Sequence, residues 1–276
     1  METTQTIQVA PKNFNSSFDI AEATIKVQTM CSITEDIVFH AHNLFNRFGF
    51  LLFDPIFPQQ FQDELEAIKK YFGTTIPHKR ANSRGVSLIK PIPGFPDYFG
   101  TTTIETGLHT DGACSNEPPP KVIILQCVVS EPNGGDSLLL SCKLLYNHIL
   151  EVMPEQLKEL FRPDTFTITR DHQTTKKSVF YYDNGRIHTT FRGDTTANIS
   201  PAPESLKAFN LVKTFVKDKK NILKFKLREN QILIIDNTSV MHGRLKFSEN
   251  SSRQLNRVFL DGNTENLGQL YFGFNP

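Results

Sequence analysis

Ile232-Leu233-Ile234-Ile235-Asp236, followed by Asn237-Thr238-Ser239-Val240-Met241-His242-Gly243-Arg244, is the stretch whose reading decides the fold. Its first five residues are a short apolar run of the kind a buried strand uses, and the chain then turns and returns carrying a histidine. Outward from it, short β runs broken by turns recur: Val122 to Ser130, Ser137 to Ser141, Thr165 to Arg170, Val179 to Tyr182, Arg186 to Thr190, Leu223 to Leu227 and Arg257 to Asp261. Helical insertions are expected at Leu144 to Val152 and from Ser205 to about Lys217, the second with Leu206, Phe209, Val212 and Val216 on one face. Many strands with helices outside them predict a mainly β chain with flanking helices, an α+β arrangement around a jelly-roll core, rather than alternating β-α units.

Toward the N-terminus the pattern changes. Residues 1–17 are polar and without periodicity, which predicts a mobile tail or an early edge strand, with 18–276 forming a single domain. Ser32-Ile-Thr-Glu35 has the form of a capping box, opening a helix with Ile37, Ala41, Leu44 and Phe45 on its apolar stripe and an end before Gly49. Phe50 to Phe53 reads as a buried strand, and Pro58 to Phe72 as an amphipathic helix stopped by Gly73. From Thr74 to Thr103 Gly, Pro, Arg and Ser dominate, which predicts an irregular segment of the kind used as a lid or binding loop.

Thirty basic residues against 29 acidic ones argue against nucleic acid or an anionic membrane as principal partner, since both recruit concentrated positive charge. Cys31, Cys114, Cys127 and Cys142 are scattered, with no Cys-Xaa-Xaa-Cys pair, so neither a zinc cage nor a disulfide framework is expected and reduced thiols in a cytoplasm are the plain reading. The start, Met-Glu-Thr-Thr-Gln-Thr-Ile-Gln, lacks the basic and apolar blocks of a targeting segment. A small-molecule substrate is the expected partner, and the chain leaves room for a homo-oligomer.

The chemistry concentrates in His109-Thr110-Asp111 and in His242. Alternating residues of an extended segment share a face, so His109 and Asp111 can address one ion. Taken alone the pair says little, because eight histidines and fourteen aspartates make one His-Xaa-Asp unsurprising. With His242 it becomes two neutral imidazoles and a carboxylate, the donor set of a non-haem Fe(II) site that keeps open positions. Two further features accompany it. Glu131-Pro-Asn-Gly-Gly-Asp-Ser137 is a tight glycine turn that delivers a hydroxyl to the start of a strand, and Arg253 follows His242 at a distance suited to the neighbouring antiparallel strand.

In this order, the His-Xaa-Asp, the Gly-Gly-Asp-Ser turn, the Asp-Asn…His-Gly-Arg run and Arg253 resemble the taurine dioxygenase and clavaminate synthase-like branch of the Fe(II)/2-oxoglutarate-dependent oxygenases, over about Gly49 to Asp261. Serine stands at 137 where threonine is commoner in that family, and residues 74–103 match no part of its pattern. The resemblance implies a double-stranded β-helix core and a dioxygenase that uses Fe(II), 2-oxoglutarate and O2. Its ligands would be His109, Asp111 and His242, with Arg253 and Ser137 on the distal carboxylate of 2-oxoglutarate.

Arg257 shares a strand face with Arg253 and is open to two roles, a substrate anion or support of the neighbouring carboxylate. Glu105, Thr106, Arg80 and Arg84 are weaker substrate candidates, set against a plain reading as solvated loop residues. Asp111 fills the place that halogenating relatives leave to chloride, so halogenation is disfavoured. The expected outcome is hydroxylation of an unactivated C–H bond in a small polar or amino-acid-like molecule, with desaturation, cyclisation or oxidative decarboxylation as alternatives. A zinc hydrolase would use the same donors but leaves Arg253 and the glycine turn unexplained, and a silent jelly-roll binding module leaves the intact donor set unexplained.

Overall fold

The computed structural model describes residues 12–94, 99–170, 172–194, 196–264 and 269–276. In chain order its strands are β1 (Thr24–Val27), β2 (Phe50–Pro55), β3 (Val86–Ile89), β4 (Thr106–His109), β5 (Val122–Val129), β6 (Ser137–Ser141), β7 (Phe166–Arg170), β8 (Gln173–Lys177), β9 (Phe180–Asp183), β10 (Arg186–Thr189), β11 (Asn198–Pro201), β12 (Leu223–Phe225), β13 (Ile232–Asp236), β14 (Val240–Arg244) and β15 (Gln254–Leu260). The α-helices are α1 (Glu35–Phe48), α2 (Phe61–Lys69), α3 (Cys142–Val152), α4 (Pro154–Leu160) and α5 (Leu206–Phe215).

Two sheets face each other. The larger runs β1-β2-β13-β5-β15-β3 and the smaller β12-β6-β14-β4, with a β9/β10 hairpin and a β11-β7-β8 sheet beside them. Except for the parallel β1–β2 pair, every pairing in the two main sheets is antiparallel. This is the jelly-roll sandwich with helices packed outside that the sequence predicts.

Residues directly opposite in a ladder share a face, so the register sorts every side chain. In β5, Gln126 turns outward and its Nε2 donates to Phe61 O at the start of α2, 3.0 Å away. Ile123, Leu125 and Cys127 therefore point inward, together with their register partners Phe259, Arg257 and Leu255 of β15. In the smaller sheet Leu138, Leu140 and Met241 pack outward with residues of α3 and α5, whereas Leu139 and Val240 belong to the core of the larger sheet. Ser137, Ser141, His242 and Arg244 alternate or pair with them and so also face inward. Polar side chains thus line one end of an otherwise apolar interior.

Several boundaries differ from the sequence reading for identifiable reasons. Thr34, not Ser32, caps α1: its hydroxyl accepts from Ile37 N at 3.4 Å, and Ser32 lies in a preceding 3-10 turn. Gly49 ends the helix in the left-handed region at φ 77°, its amide returned to Phe45 O. Helix α2 begins three residues past Pro58, at Phe61, and stops at Lys69, with buried Phe72 in the turn beyond it. The 74–103 segment is not wholly irregular, because β3 forms where β15 offers a free edge. Strands β8 and β11 and helix α4 were not anticipated; β8, Gln-Thr-Thr-Lys-Lys, has no apolar alternation and owes its form to pairing with β7.

The expected tail boundary at residue 17 also fails. Residues 1–11 lie outside the described residues, but Lys12 is fully buried and Phe14 sits in the core against Phe50, with ring centroids 4.9 Å apart. Lys12 Nζ donates to Asp236 Oδ2 at 2.5 Å, both side chains at 0% exposure, and also to the carbonyl of Tyr271. Asp236 accepts in addition from Thr238 N (2.9 Å), Thr238 Oγ1 (2.6 Å) and Ser239 Oγ (2.6 Å). Burial alone would raise its pKa, but the Lys12 ammonium and these donors hold the carboxyl below its ordinary value. Among the described residues, no helix is long and apolar enough to cross a membrane.

Lys12→Met leaves the Asp236 carboxylate buried without its cation, and denaturant unfolding should register a loss of about 3–5 kcal/mol. A loss below about 1 kcal/mol, the range of an exposed pair, would show that the pair does not hold the N-terminal segment in place.

Candidate metal centre

Strand β14 pairs with β4 so that His242 stands directly opposite His109. Both imidazoles face inward, their ring centroids 4.5 Å apart. Gly243 makes this approach possible: a Cβ there would lie 2.7 Å from Thr106 O, inside any tolerated contact. Asp111 completes the cluster, though not from a single extended segment as expected, since β4 ends at His109 and Asp111 lies in the turn that follows. That turn is fastened on both sides. Thr110 N donates to Phe191 O at 2.9 Å, and Asn237 clamps the other side, its Oδ1 accepting from Asp111 N (2.8 Å) and its Nδ2 donating to Asp111 O (3.0 Å) and Pro120 O (2.8 Å).

The donor atoms of His109, Asp111 and His242 all lie within 4.8 Å of one another. His109 Nε2 is 3.9 Å from Asp111 Oδ1, and His242 Nε2 is 3.4 Å from Asp111 Oδ2. His109 Nδ1 is 2.8 Å from Gly107 O, a contact that puts the ring proton on Nδ1 and leaves the Nε2 lone pair for a metal. Burial, reinforced by the neighbouring His242, pushes His109 down to about 4, so the imidazole is neutral near pH 7. Burial works against ionisation of Asp111, but Arg257 and the two histidines outweigh it and hold the carboxyl far below its ordinary value. Two imidazole nitrogens and one carboxylate in this arrangement fit a divalent first-row ion such as Fe(II).

Arg257 projects inward from β15, and its Nη1 sits 3.2 Å from Asp111 Oδ2 and 3.5 Å from Oδ1. Of the two roles the sequence left open, the geometry shows contact with the metal-site carboxylate. Arg253 comes just ahead of β15, which lies in the larger sheet and not beside β14; the expected antiparallel neighbour of β14 is instead β4 or β6. Its guanidinium, 5% exposed, lies 5.3 Å from the centroid of Phe247 and packs on Gly135, where a Cβ would stand 3.2 Å from its Cδ and Nε. Among the described residues it makes no hydrogen bond or ion pair. Ser137, buried, opens β6 two residues past Gly135, the glycine on which Arg253 packs.

The weaker candidates fare differently. Thr106 Oγ1 accepts from Arg244 N at 2.8 Å and is thereby committed to the β4–β14 junction. Glu105, Arg80 and Arg84 are exposed. Arg84 donates to Gln62 Oε1 at 3.0 Å, on the rim of a cavity of about 580 Å³ between α2 and residues 75–85, and neither it nor Glu105 bonds to the three donors.

Three participants escaped the sequence reading. Lys226 Nζ donates to Glu131 O at 2.9 Å and to Gly134 O, bracing the glycine turn. Arg192 forms a bridge pair with His109 and an ion pair with Asp194 at 2.7 Å, both side chains buried. His78, within the 74–103 segment, stands edge-on to Phe259 at 5.4 Å, and burial together with the Arg257 charge lowers its pKa. Nothing local in the sequence marks these residues, because each acquires its role through contacts distant along the chain.

Residues 11–259 match the model of the family described as taurine catabolism dioxygenase TauD, TfdA family. The chain belongs to this family. The dioxygenase shares its fold with an asparagine oxygenase solved with Fe(II), (2S,3S)-3-hydroxyasparagine and succinate, at 16% identity and a TM-score of 0.63 over 82% of this chain and 83% of that one. It is similar to OrfP, a non-haem iron oxygenase solved with Fe, succinate and (3S)-hydroxy-L-Arg, at 16% identity and a TM-score of 0.64 over 83% and 79% of the two chains. PvcB of Pseudomonas aeruginosa, an Fe, alpha-ketoglutarate dependent oxygenase from an isonitrile synthetic pathway, matches at 14% identity and a TM-score of 0.64 over 86% and 85%. The resemblance read from the motifs is thus borne out at the level of family and fold.

Asn237→Ala removes three hydrogen bonds that hold the Asp111 turn. At about 1 kcal/mol each, a loss of roughly 2–4 kcal/mol in unfolding free energy is expected, together with weaker Fe(II) binding in an anaerobic titration. Unaltered metal affinity would show that Asp111 is placed by other contacts.

Proposed function

We propose that this dioxygenase uses Fe(II), 2-oxoglutarate and O2 to hydroxylate an unactivated C–H bond of a small polar or amino-acid-like molecule, releasing succinate and CO2. The observation that carries the reading is the inward-facing trio of His109, Asp111 and His242, three protein donors that leave half of an octahedral ion for cosubstrate and oxygen. Bound ferrous iron and the keto acid together supply the oxidising chemistry.

The remaining work falls to the chain's own residues. His109 would bind through its neutral Nε2 and Asp111 through an ionised carboxylate, with His242 Nε2 as the third donor. Arg257 would orient Asp111, and a substrate anion entering the same space would meet its guanidinium. Arg253 would take the distal carboxylate of 2-oxoglutarate through its planar fork, each charge-assisted bond worth about 1.5–3 kcal/mol. Burial makes the Arg253 guanidinium costly, and a dicarboxylate beside it would offset that cost. Ser137 would add its hydroxyl. The apolar inner faces of β5 and β13 exclude water from the reacting centre.

An amino-acid-like substrate is supported by the asparagine oxygenase and OrfP, both solved with hydroxylated amino acids. In a second reading the same site directs desaturation, cyclisation or oxidative decarboxylation, and product mass separates it from hydroxylation. We place the protein in a reducing cytoplasm, in keeping with its four free cysteines, and assign it a small molecule rather than nucleic acid or membrane, in keeping with its net charge of +1.

A panel of amino acids and their derivatives, scored by 2-oxoglutarate-dependent succinate release, tests the reading. His242→Ala should abolish release, and unchanged turnover would remove the metal assignment. Arg253→Ala should raise the KM for 2-oxoglutarate by about 100-fold, roughly the 2.7 kcal/mol of one or two charge-assisted bonds, with little change in the KM for substrate. Equal weakening of both would move the carboxylate site elsewhere.

A further inference from the structure

Arg244 follows His242 by two residues on β14, faces inward opposite Ser137 and is 7% exposed. Its guanidinium forks onto the backbone of the segment that leads into β4: Nη1 donates to Ile104 O at 2.6 Å and Nη2 to Thr102 O at 2.5 Å. The carbonyl between them, Thr103 O, accepts from Phe247 N at 3.1 Å, and the Arg244 amide donates to Thr106 Oγ1 at 2.8 Å. Three successive carbonyls and a hydroxyl of residues 102–106 are therefore fastened to residues 244–247. Three positions further on the chain presents His109.

The same guanidinium lies 4.6 Å from the centroid of Phe247, and the Arg253 guanidinium lies 5.3 Å from that centroid. Two cations share one ring. One grips the backbone that leads to a metal ligand, and the other belongs to the dicarboxylate chamber. Both guanidiniums are buried against that ring and repel one another. An anion held at Arg253 would relieve that like-charge repulsion and strengthen the hold on residues 102–106. Lysine is a poor substitute, because its donors radiate from one nitrogen on a shorter head, whereas the planar guanidinium aims Nη1 and Nη2 at separate carbonyls.

We propose that Arg244 is a positioning residue: through the Arg244–Phe247–Arg253 stack it couples occupancy of the dicarboxylate chamber to the ordering of the strand that delivers His109. The ligand half of this proposal rests on the 2-oxoglutarate site assigned above, whereas the clamp rests on the hydrogen bonds alone.

The test compares the full-length protein with Arg244→Lys and Arg244→Gln by amide hydrogen–deuterium exchange, under anaerobic Fe(II), with and without 2-oxoglutarate. In the unaltered protein 2-oxoglutarate should slow exchange across 103–109 by about tenfold. In both variants those amides should exchange about tenfold faster without ligand, and 2-oxoglutarate should no longer slow them, while α1 and α3 keep their protection. Failure of the lysine variant alongside the glutamine variant identifies the fork, not the charge, as the cause.

An Arg244→Lys variant with unaltered exchange and unaltered ligand response overturns the proposal. So does protection lost evenly over β6, β14 and α3, which marks a merely structural residue. Unaltered protein that binds 2-oxoglutarate with no change in 103–109 overturns the coupling alone, whereas unaltered protein that binds none overturns the cosubstrate reading and the coupling with it.

Discussion

The pairing of His109 with His242 across β4 and β14 is the constraint on which the remainder of the site depends. Opposite residues of an antiparallel ladder share a face, and a slip of one residue would send one imidazole into the outer core beside Met241. Three features hold the register. Gly243 permits the two backbones to approach, Asn237 ties the Asp111 turn to the return of β13, and the buried Lys12–Asp236 pair fixes that return from beneath. The candidate ligands are thus brought together by strand pairing, and the turn residues between β13 and β14 place them.

Charge within the sandwich follows a single logic. Three buried pairs shape the site, Lys12 with Asp236, Arg257 with Asp111 and Arg192 with Asp194, while Arg253 packs on the glycine turn. In a low-dielectric interior such charges are costly unless a counter-charge or well-placed hydrogen bonds compensate them. An arginine held at 5% exposure beside Gly135 is consistent with a site that is completed by a dicarboxylate.

Much of this was legible in the sequence because the motifs are local. His-Xaa-Asp, Gly-Gly-Asp-Ser and His-Gly-Arg each place chemistry within a few residues, and β5, β6 and β13 announce themselves by apolar runs. The neighbouring strands β4 and β14 did not, since their residues are spent on ligands and close packing and show no clean alternation. Lys12 was invisible for a related reason: a lysine in a polar stretch reads as solvated, and only its partner 224 residues away explains its burial. Arg253 was expected beside β14 but lies just ahead of β15 in the other sheet, because the loop from β14 crosses the sandwich instead of turning back beside it. The 74–103 segment contributed β3 and His78 through contacts with β15 that no local pattern encodes.

The central claim is that two imidazoles and a carboxylate gather one ferrous ion whose open positions accept a keto acid steered by Arg253. Anaerobic titration with Fe(II) and then 2-oxoglutarate, followed by visible absorption, tests it most directly. The account predicts a weak charge-transfer band that saturates at one iron and one 2-oxoglutarate per chain. Tight iron binding with no band on adding the keto acid, or no iron binding at all, would contradict it.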